Sequence, residues 1–395
     1  MGARTLVLRR GEDRRLRAGH LWVFSNEVDV AKTPLTAFQP GEEAVVCDSR
    51  GAPLGRALVN PATLICARLH SLDANEACDR DLIARRLQDA LSLRERLFDA
   101  PYYRLAFGEG DFLPGLVVDR FGSHLTVQVT TAGMEARRGL ISSVLRDLIA
   151  PSSLLWDNSV AARALEGLGQ ENVTEGDVPE ILEVPENGCV YTCSTVAGQK
   201  TGWFYDQRAN RAKAASFCAG REVLDCFSYV GGFGVAAGKA RASCVTFIDA
   251  SAPALEHAMG SLARNAPACR GEALRGDAFD LLQRLSAQGR KFDVVSVDPP
   301  AFIKRRKDLK QGLEAYRRVN ALACGLVREG GLLVSSSCSQ LFHVDELRAA
   351  VARAAARRRR QARIVHVGFQ GPDHPVQCAM PETAYLKCLM AQLHG

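Results

Sequence analysis

The chain has 395 residues, 47% hydrophobic and 24% charged, with a net charge of +6. That balance fits a soluble globular protein of two or three domains. No run of about eighteen apolar residues exists, and Met1 to Arg10 lacks an apolar core of signal-peptide length. A membrane span and secretion are therefore not expected, and a cytoplasmic location is.

The chain carries 13 cysteines, an odd number with no C-x-x-C spacing. Cys189 and Cys193 are the closest pair, and nothing downstream completes a zinc-type second half. Reduced thiols and no metal are expected, most of the thiols being small core residues. The basic residues gather in three places: Arg9 to Arg17, Lys304 to Lys310, and Arg357 to Arg360. The third run suits a solvated helix face. The second suits contacts with phosphate, which makes RNA a candidate partner.

In chain order, residues 1–70 read as short β segments at Leu21–Phe24, Ala44–Cys47 and Leu64–Ala67, separated by Gly and Pro breakers. A small β-barrel is expected, with one helical turn near Arg14 to His20. Residues 79–98 show helical periodicity through Leu82, Ile83, Leu87, Leu91, Leu93 and Leu97. Strands are predicted at Leu116–Val118 and Leu125–Val129, then a helix over Glu135 to Ile149. From about residue 186 strand, turn and helix alternate, as in βαβ units around a parallel sheet. The division expected is 1–72, 73–185 and 186–395, a multidomain α/β protein.

In that last part, the strand Glu222–Phe227 runs into the turn Ser228-Tyr229-Val230-Gly231-Gly232-Phe233-Gly234. The next strand, from Cys244, ends in Asp249, 24 residues after Asp225. An acid at that spacing accepts hydrogen bonds from ribose hydroxyls. A true G-x-G-x-x-G is missing, which weakens a dinucleotide reading and is compatible with S-adenosylmethionine, which has ribose and adenine but no phosphate. Asp277 follows the third strand and suits the adenine amino group. Taken singly, each feature has a plainer explanation: an ordinary Gly-Gly turn, or Asp249 as a helix N-cap. Asp225, Asp249, Asp277 and Asp298 at four successive strand ends are harder to explain so.

Two further groups converge on the carboxyl rim of the sheet, where open α/β folds bind ligands. Phe292 to Val297 ends in Asp298-Pro299-Pro300-Ala301-Phe302. Gly330 to Val334 leads to Ser335-Ser336-Ser337-Cys338-Ser339. A thiol and a carboxylate at one rim suit covalent attack on an electron-poor ring such as cytosine. The plain alternative for Cys338 is a buried core thiol, but it stands after the strand and among serines.

These residues resemble the class I S-adenosylmethionine-dependent RNA methyltransferases, and nearly the whole chain resembles the bacterial large-subunit ribosomal RNA cytosine-5 methyltransferase I family. The resemblance runs through Gly19 to Ser25, Gly110 to Leu116, Lys200 to Arg208, Cys226 to Phe233, Asp298 to Phe302, Ser337 to Ser339 and Asp373-His374-Pro375. It implies an N-terminal PUA-like barrel, a central α+β domain and a C-terminal Rossmann-like methyltransferase domain. It implies S-adenosylmethionine as cofactor, bordered by Lys200, Phe204, Gln207, Arg208, Asp225, Phe227, Ser228, Tyr229, Gly231, Asp249, Ala250, Asp277 and Ala278, with Arg208 or Lys200 toward its carboxylate. Ribosomal RNA is the implied substrate, with a homodimer left open.

Carbon 5 of cytosine is too weak a nucleophile to take a methyl group unaided. A thiolate adding at carbon 6 makes it enamine-like. Cys338 is the expected nucleophile, with Asp298 at ring nitrogen 3. Two rival readings remain. Asp-Pro-Pro also resembles the signature of enzymes that methylate exocyclic amino groups, though Ala301 separates the second proline from Phe302. A non-catalytic RNA-binding protein on the same fold is the other.

Overall fold

The computed structural model describes residues 4–195 and 202–395; Lys200 lies outside the described residues. The chain divides into two compact units: Met1–Pro179 with Pro372–Thr383, and Glu180–Gly371 with Ala384–Gly395.

The first unit holds two sheets, each over its own apolar core. The N-terminal sheet has five strands, β1 (Arg4–Val7), β2 (Trp22–Phe24), β3 (Glu42–Cys47), β4 (Pro53–Val59) and β5 (Ile65–Ser71), in the order β1-β3-β4-β5-β2. Helix α1 spans Arg14–Arg17. Three of these strands were legible as apolar runs; β1 and β4 were not. Strand β4 hides behind its breakers. It opens on Pro53, and its Gly55 has φ +151° where any Cβ would strike the backbone of Ser71.

The second sheet joins β6 (Tyr102–Phe107), β7 (Leu116–Phe121), β8 (His124–Val129), β9 (Ser153–Trp156) and β10 (Val173–Gly176) in the order β10-β9-β8-β7-β6. Helix α2 (Arg80–Leu97) starts at Asp79, whose side chain accepts from the Leu82 N–H at 3.0 Å. The expected helix over Glu135 to Ile149 is two helices, α3 (Ala132–Glu135) and α4 (Arg138–Ile149). The break falls at Arg137, whose guanidinium donates to the carbonyls of Cys78, Gly41 and Gly133 and to Glu43. A short helix, α5, spans Ala161–Leu165.

Two motifs of the resemblance meet inside this unit. Arg94, fully buried, grips Asp111 through both terminal nitrogens at 2.6 and 2.7 Å and donates to the Asp373 carbonyl at 2.7 Å. Asp373 in turn accepts from the Arg104 N–H at 3.1 Å. Gly110 and Asp373-His374-Pro375 are thus joined as architecture: a Cβ on Gly110 would collide with the Pro375 carbonyl.

The second unit begins with the hairpin β11 (Ile181–Glu186) and β12 (Cys189–Ser194), then α6 (Arg208–Ala215). Its main sheet contains β13 (Glu222–Cys226), β14 (Cys244–Asp249), β15 (Arg270–Arg275), β16 (Phe292–Val297), β17 (Val327–Ser337), β18 (Gln361–Phe369) and β19 (Lys387–His394). The order is β15-β14-β13-β16-β17-β19-β18. The first five strands run parallel; β19 pairs antiparallel with both β17 and β18. Helices α7 (Gly232–Lys239), α8 (Ala252–Asn265), α9 (Ala278–Ala287), α10 (Leu309–Leu326) and α11 (Val344–Ala356) connect them. Strands β13 and β16 are buried along almost their whole length because they are covered on both faces, as parallel strands are. No helix among the described residues is long and apolar enough to cross a membrane.

Candidate active site

Strand β13 lies at the middle of the parallel sheet. The chain leaves it toward β14 on one side and returns on the other side as β16. Where connections diverge in this way, a crevice opens beyond the carboxyl ends of the strands. The turn over it is strained. Phe227 has φ +59° and Tyr229 φ +48°, left-handed values that side chains other than glycine rarely adopt. Gly231 follows at φ +84°, and a Cβ there would come within 2.9 Å of Ala258.

The acids hold this turn together. Asp225 lies one residue inside the end of β13, buried, and accepts from the Gly234 N–H at 2.8 Å. Burial pushes its carboxyl up to about 7. Asp249, half-buried at the end of β14, accepts from the N–H of Tyr229 at 2.8 Å through one oxygen and from Ser251 at 2.9 Å through the other. Asp277 is exposed and caps α9, accepting from Phe279 and Asp280. Across the sheet the order is therefore Asp277, Asp249, Asp225, Asp298. Ala250 is exposed and Ala278 buried at the start of α9.

The segment after Gly202 folds against the turn. Phe204 meets Tyr229 edge-on with ring centres 5.6 Å apart, and the Tyr229 hydroxyl donates to the Gly202 carbonyl at 3.1 Å. Arg208 forms a largely buried ion pair: its Nε lies 3.3 Å from Glu186. Arg211, which the sequence did not single out, holds Glu186 through two nitrogens at 2.7 and 2.9 Å. Its side chain packs against Gly232, where a Cβ would come within 3.1 Å.

Two polar atoms at the crevice suit a ligand. Among the described residues, Ser228 Oγ and Gln207 Nε2 are buried and have no hydrogen-bond partner. Unpaired buried donors are costly unless something else satisfies them. Phe227, Phe279 and Phe302 stand with ring centres 6.0 to 6.5 Å apart, an aromatic wall of which Phe279 was unforeseen. An acid at the end of β14, an aromatic wall and orphaned donors fit a nucleoside such as that of S-adenosylmethionine.

Asp298 follows β16 directly, half-buried, its N–H directed at the Cys226 carbonyl. On the neighbouring strand β17, Ser335 pairs with Val297, so Cys338 stands just beyond the same rim. The residues beside Cys338 are clamped. Ser337 Oγ donates to the Tyr316 hydroxyl at 2.8 Å, and that hydroxyl shares a 2.8 Å hydrogen bond with Ser339 Oγ. Ser339 Oγ also accepts from the Ile303 N–H at 3.1 Å. Lys387, unforeseen in the sequence, lies buried at the start of β19 opposite Ser337.

Burial separates Cys338 from most other thiols. It pushes Cys66, Cys78, Cys193, Cys218, Cys324 and Cys388 up to about 12, and Cys226 well above the ordinary thiol range. Among the 13 cysteines only Cys269, Cys338 and Cys378 are even partly exposed. Cys269 precedes β15, at the opposite end of the strands, and Cys378 belongs to the first unit. Among the described residues one cluster has metal-ligand character, Glu43, His70 and Cys78 in the first unit. Glu43 there is already paired with Arg56 at 2.5 Å and Arg137 at 2.7 Å.

Comparison with known proteins agrees with the fold. Residues 6–72 match the family profile of a PUA-like domain. Residues 169–375 match that of S-adenosylmethionine-dependent methyltransferases. The chain is 37% identical to the ribosomal RNA large subunit methyltransferase I of Erwinia tasmaniensis, over 97% of each chain. It is 36% identical to the protein of that name from Klebsiella pneumoniae strain 342, over 97% of this chain and 96% of the relative. In fold it is similar to a candidate SAM-dependent methyltransferase from Streptococcus mutans, with a TM-score of 0.83 at 18% identity over 98% of this chain and 100% of that one. SMU.776, a candidate methyltransferase complexed with SAH, gives a TM-score of 0.84 at 18% identity, over 99% and 100%.

Proposed function

The chain belongs to the family of S-adenosylmethionine-dependent methyltransferases that contains the ribosomal RNA large subunit methyltransferase I proteins, and from that premise we propose that it forms 5-methylcytosine in large-subunit ribosomal RNA, in the cytoplasm. The observation that carries the reading is the rim beside the cofactor crevice. A partly exposed thiol, Cys338, and a carboxylate, Asp298, follow adjacent parallel strands, and the Ser339–Ile303 hydrogen bond joins their loops.

The cofactor is held by the turn Phe227 to Gly231, with Asp249 on the ribose and Ser228 and Gln207 as donors. Phe204, Arg208, Ala250, Asp277 and Ala278 border it. Bound there, S-adenosylmethionine supplies an electrophilic methyl group to the activated carbon 5. The chain does the rest. The target base leaves its stack, or lies in a loop, to reach the rim. The Cys338 thiolate adds to carbon 6 as the protonated carboxyl of Asp298 gives its proton to nitrogen 3, so the ring becomes a neutral enamine and Asp298 a carboxylate; nitrogen 3 returns that proton to solvent when the product forms. After methylation a base takes the carbon 5 proton, the carbon–sulfur bond breaks, and the electron pair returns to sulfur. Asp298 or an ordered water serves as that base, because the Asp-Pro-Pro-Ala-Phe segment offers no second thiol.

The PUA-like domain binds RNA in this reading, supported by its separate core and the arginines near the N-terminus. The separate cores support the boundary near 72, and the change of unit between Pro179 and Glu180 supports one close to 185. Lys304 to Lys307, all exposed, suit phosphates next to the rim.

RNA carrying 5-fluorocytosine tests the chemistry, because fluorine cannot leave as a proton. Wild type should form a stable protein–RNA adduct that Cys338→Ala abolishes. An adduct on another thiol, or full methylation by Cys338→Ala, would reject covalent catalysis at Cys338 and favour an exocyclic product.

A further inference from the structure

Lys387 is 6% exposed, and its ammonium has few acceptors. Nζ donates to the Ser339 carbonyl at 2.5 Å and to the Tyr385 carbonyl at 2.8 Å. An ammonium carries three donors, so one remains. Among the described residues no carboxylate lies within ion-pair distance of Nζ. The nearest acid that acts on it, Glu346, is occupied at the start of α11, where it accepts from the His343 N–H at 2.7 Å. A buried cation with only dipoles around it is costly unless a counter-charge is close.

The register shows where that counter-charge is. Lys387 opposes Ser337 across the antiparallel pair β17–β19, and directly opposed residues share a face. The lysine side chain extends along that face to the Ser339 carbonyl, so it spans Cys338, the residue between. We propose that the Lys387 ammonium is the counter-ion of the Cys338 thiolate, a positioning and activating residue for the nucleophile. The inference rests on Cys338 being that nucleophile.

The proton balance is simple. The thiol proton leaves to solvent and the ammonium keeps its own three. When sulfur adds to the ring, its charge passes through the base to Asp298 and Lys387 is left beside a neutral thioether. That imbalance helps the thiolate to leave once the carbon 5 proton is gone. Other ionisable groups around the pair are Tyr316 on α10, Glu346 on α11, and Cys388 and Tyr385 on either side of Lys387. The Tyr316 hydroxyl is tied to Ser337 and Ser339, and burial keeps it a phenol. Cys388 stays a thiol, pushed up to about 12. Asp298 acts on Cys388, and any negative charge it carries opposes one at Cys338. Burial outweighs the upward pull of the Cys338 charge and brings Lys387 down to about 8, so it is a cation at neutral pH.

The test is the pH dependence of iodoacetamide labelling, followed on the Cys338 peptide by mass spectrometry in the full-length protein. Buried Cys388 serves as an unlabelled internal control. In wild type the Cys338 midpoint should fall below the ordinary thiol value of about 8.5. Lys387→Met should raise it by a unit or more, an about tenfold slower labelling at pH 7, and Lys387→Arg should restore most of the loss. An unchanged midpoint in folded Lys387→Met that still binds S-adenosylmethionine overturns the proposal. So does a wild-type midpoint at or above 8.5, which needs no variant. The 5-fluorocytosine adduct separates the two readings. If it survives Cys338→Ala while the labelling midpoint still follows residue 387, the ion pair stands and the nucleophile assignment fails.

Discussion

Ser339 Oγ accepts a hydrogen bond from the Ile303 N–H at 3.1 Å, and this contact joins the loop after Asp298 to the loop that carries Cys338. Two chain segments that belong to different strands are thereby held at one rim. The same hydroxyl reaches Tyr316, so one side chain serves as both spacer and tether.

Ser339→Ala should therefore act on geometry as well as stability. It leaves the buried Ile303 N–H without its acceptor, which costs about 1–3 kcal/mol. Cofactor affinity by calorimetry should stay unchanged, while the methylation rate falls. A variant with normal turnover would show that the two loops keep their register without this bond.

Asp249→Ala should weaken cofactor binding. The carboxylate orders the turn through the Tyr229 N–H and lies where ribose hydroxyls would donate. Loss of a charge-assisted acceptor is worth about 1.5–3 kcal/mol, or roughly one to two decades in the dissociation constant. Titration calorimetry on the folded variant checks it; unchanged affinity would remove Asp249 from the site.

Asp225 predicts a pH signature. Its carboxyl is raised to about 7 in the fold, against an unfolded value of about 3.9. Between those values the native state holds a proton that the unfolded state has lost. The stability from this group is thus complete below about pH 4 and is lost as pH rises through 7. Asp225→Asn can still accept from the Gly234 N–H and does not titrate. It should match wild type near pH 4 and be the more stable at pH 8, by about 4 kcal/mol. Melting curves at both pH values decide it; a variant equally less stable at both would contradict the shift.

Arg94→Met should cripple the first unit. Asp111 would lose both of its guanidinium contacts, and the Asp373 carbonyl its donor. A buried charge stranded in this way costs about 3–5 kcal/mol. Urea unfolding should show the loss. A difference within experimental error would mean that water replaces the guanidinium.

Much of the fold was legible in the residues themselves. The β13–turn–α7 unit is written in one continuous stretch, Glu222 to Lys239, as a strand, a glycine turn and a helix. Asp-Pro-Pro after one apolar run and Cys338 after the next were visible in the same way, because the carboxyl end of a strand defines the rim whatever its neighbours. Periodicity and turn chemistry are local, so they survive in the linear chain. Strand β4 escaped because its proline and glycine answer to a neighbouring strand, and the helix expected over Glu135 to Ile149 is broken where Arg137 serves distant carbonyls.

The surroundings of the candidate nucleophile were decided only in three dimensions. Lys387 reaches the Ser339 carbonyl, next to Cys338, because β19 pairs antiparallel with β17, and nothing in Tyr385-Leu386-Lys387 announces that pairing. Arg211 meets Glu186 beneath the turn, and Phe279 joins Phe227 and Phe302, through contacts between segments far apart in the chain. The segment Pro372–Thr383 belongs to the first unit although the strands on both sides of it belong to the second, and Met380 is buried in the core of the N-terminal sheet. Such contacts depend on register and burial. These are set by how whole elements pack, so no window of sequence contains them.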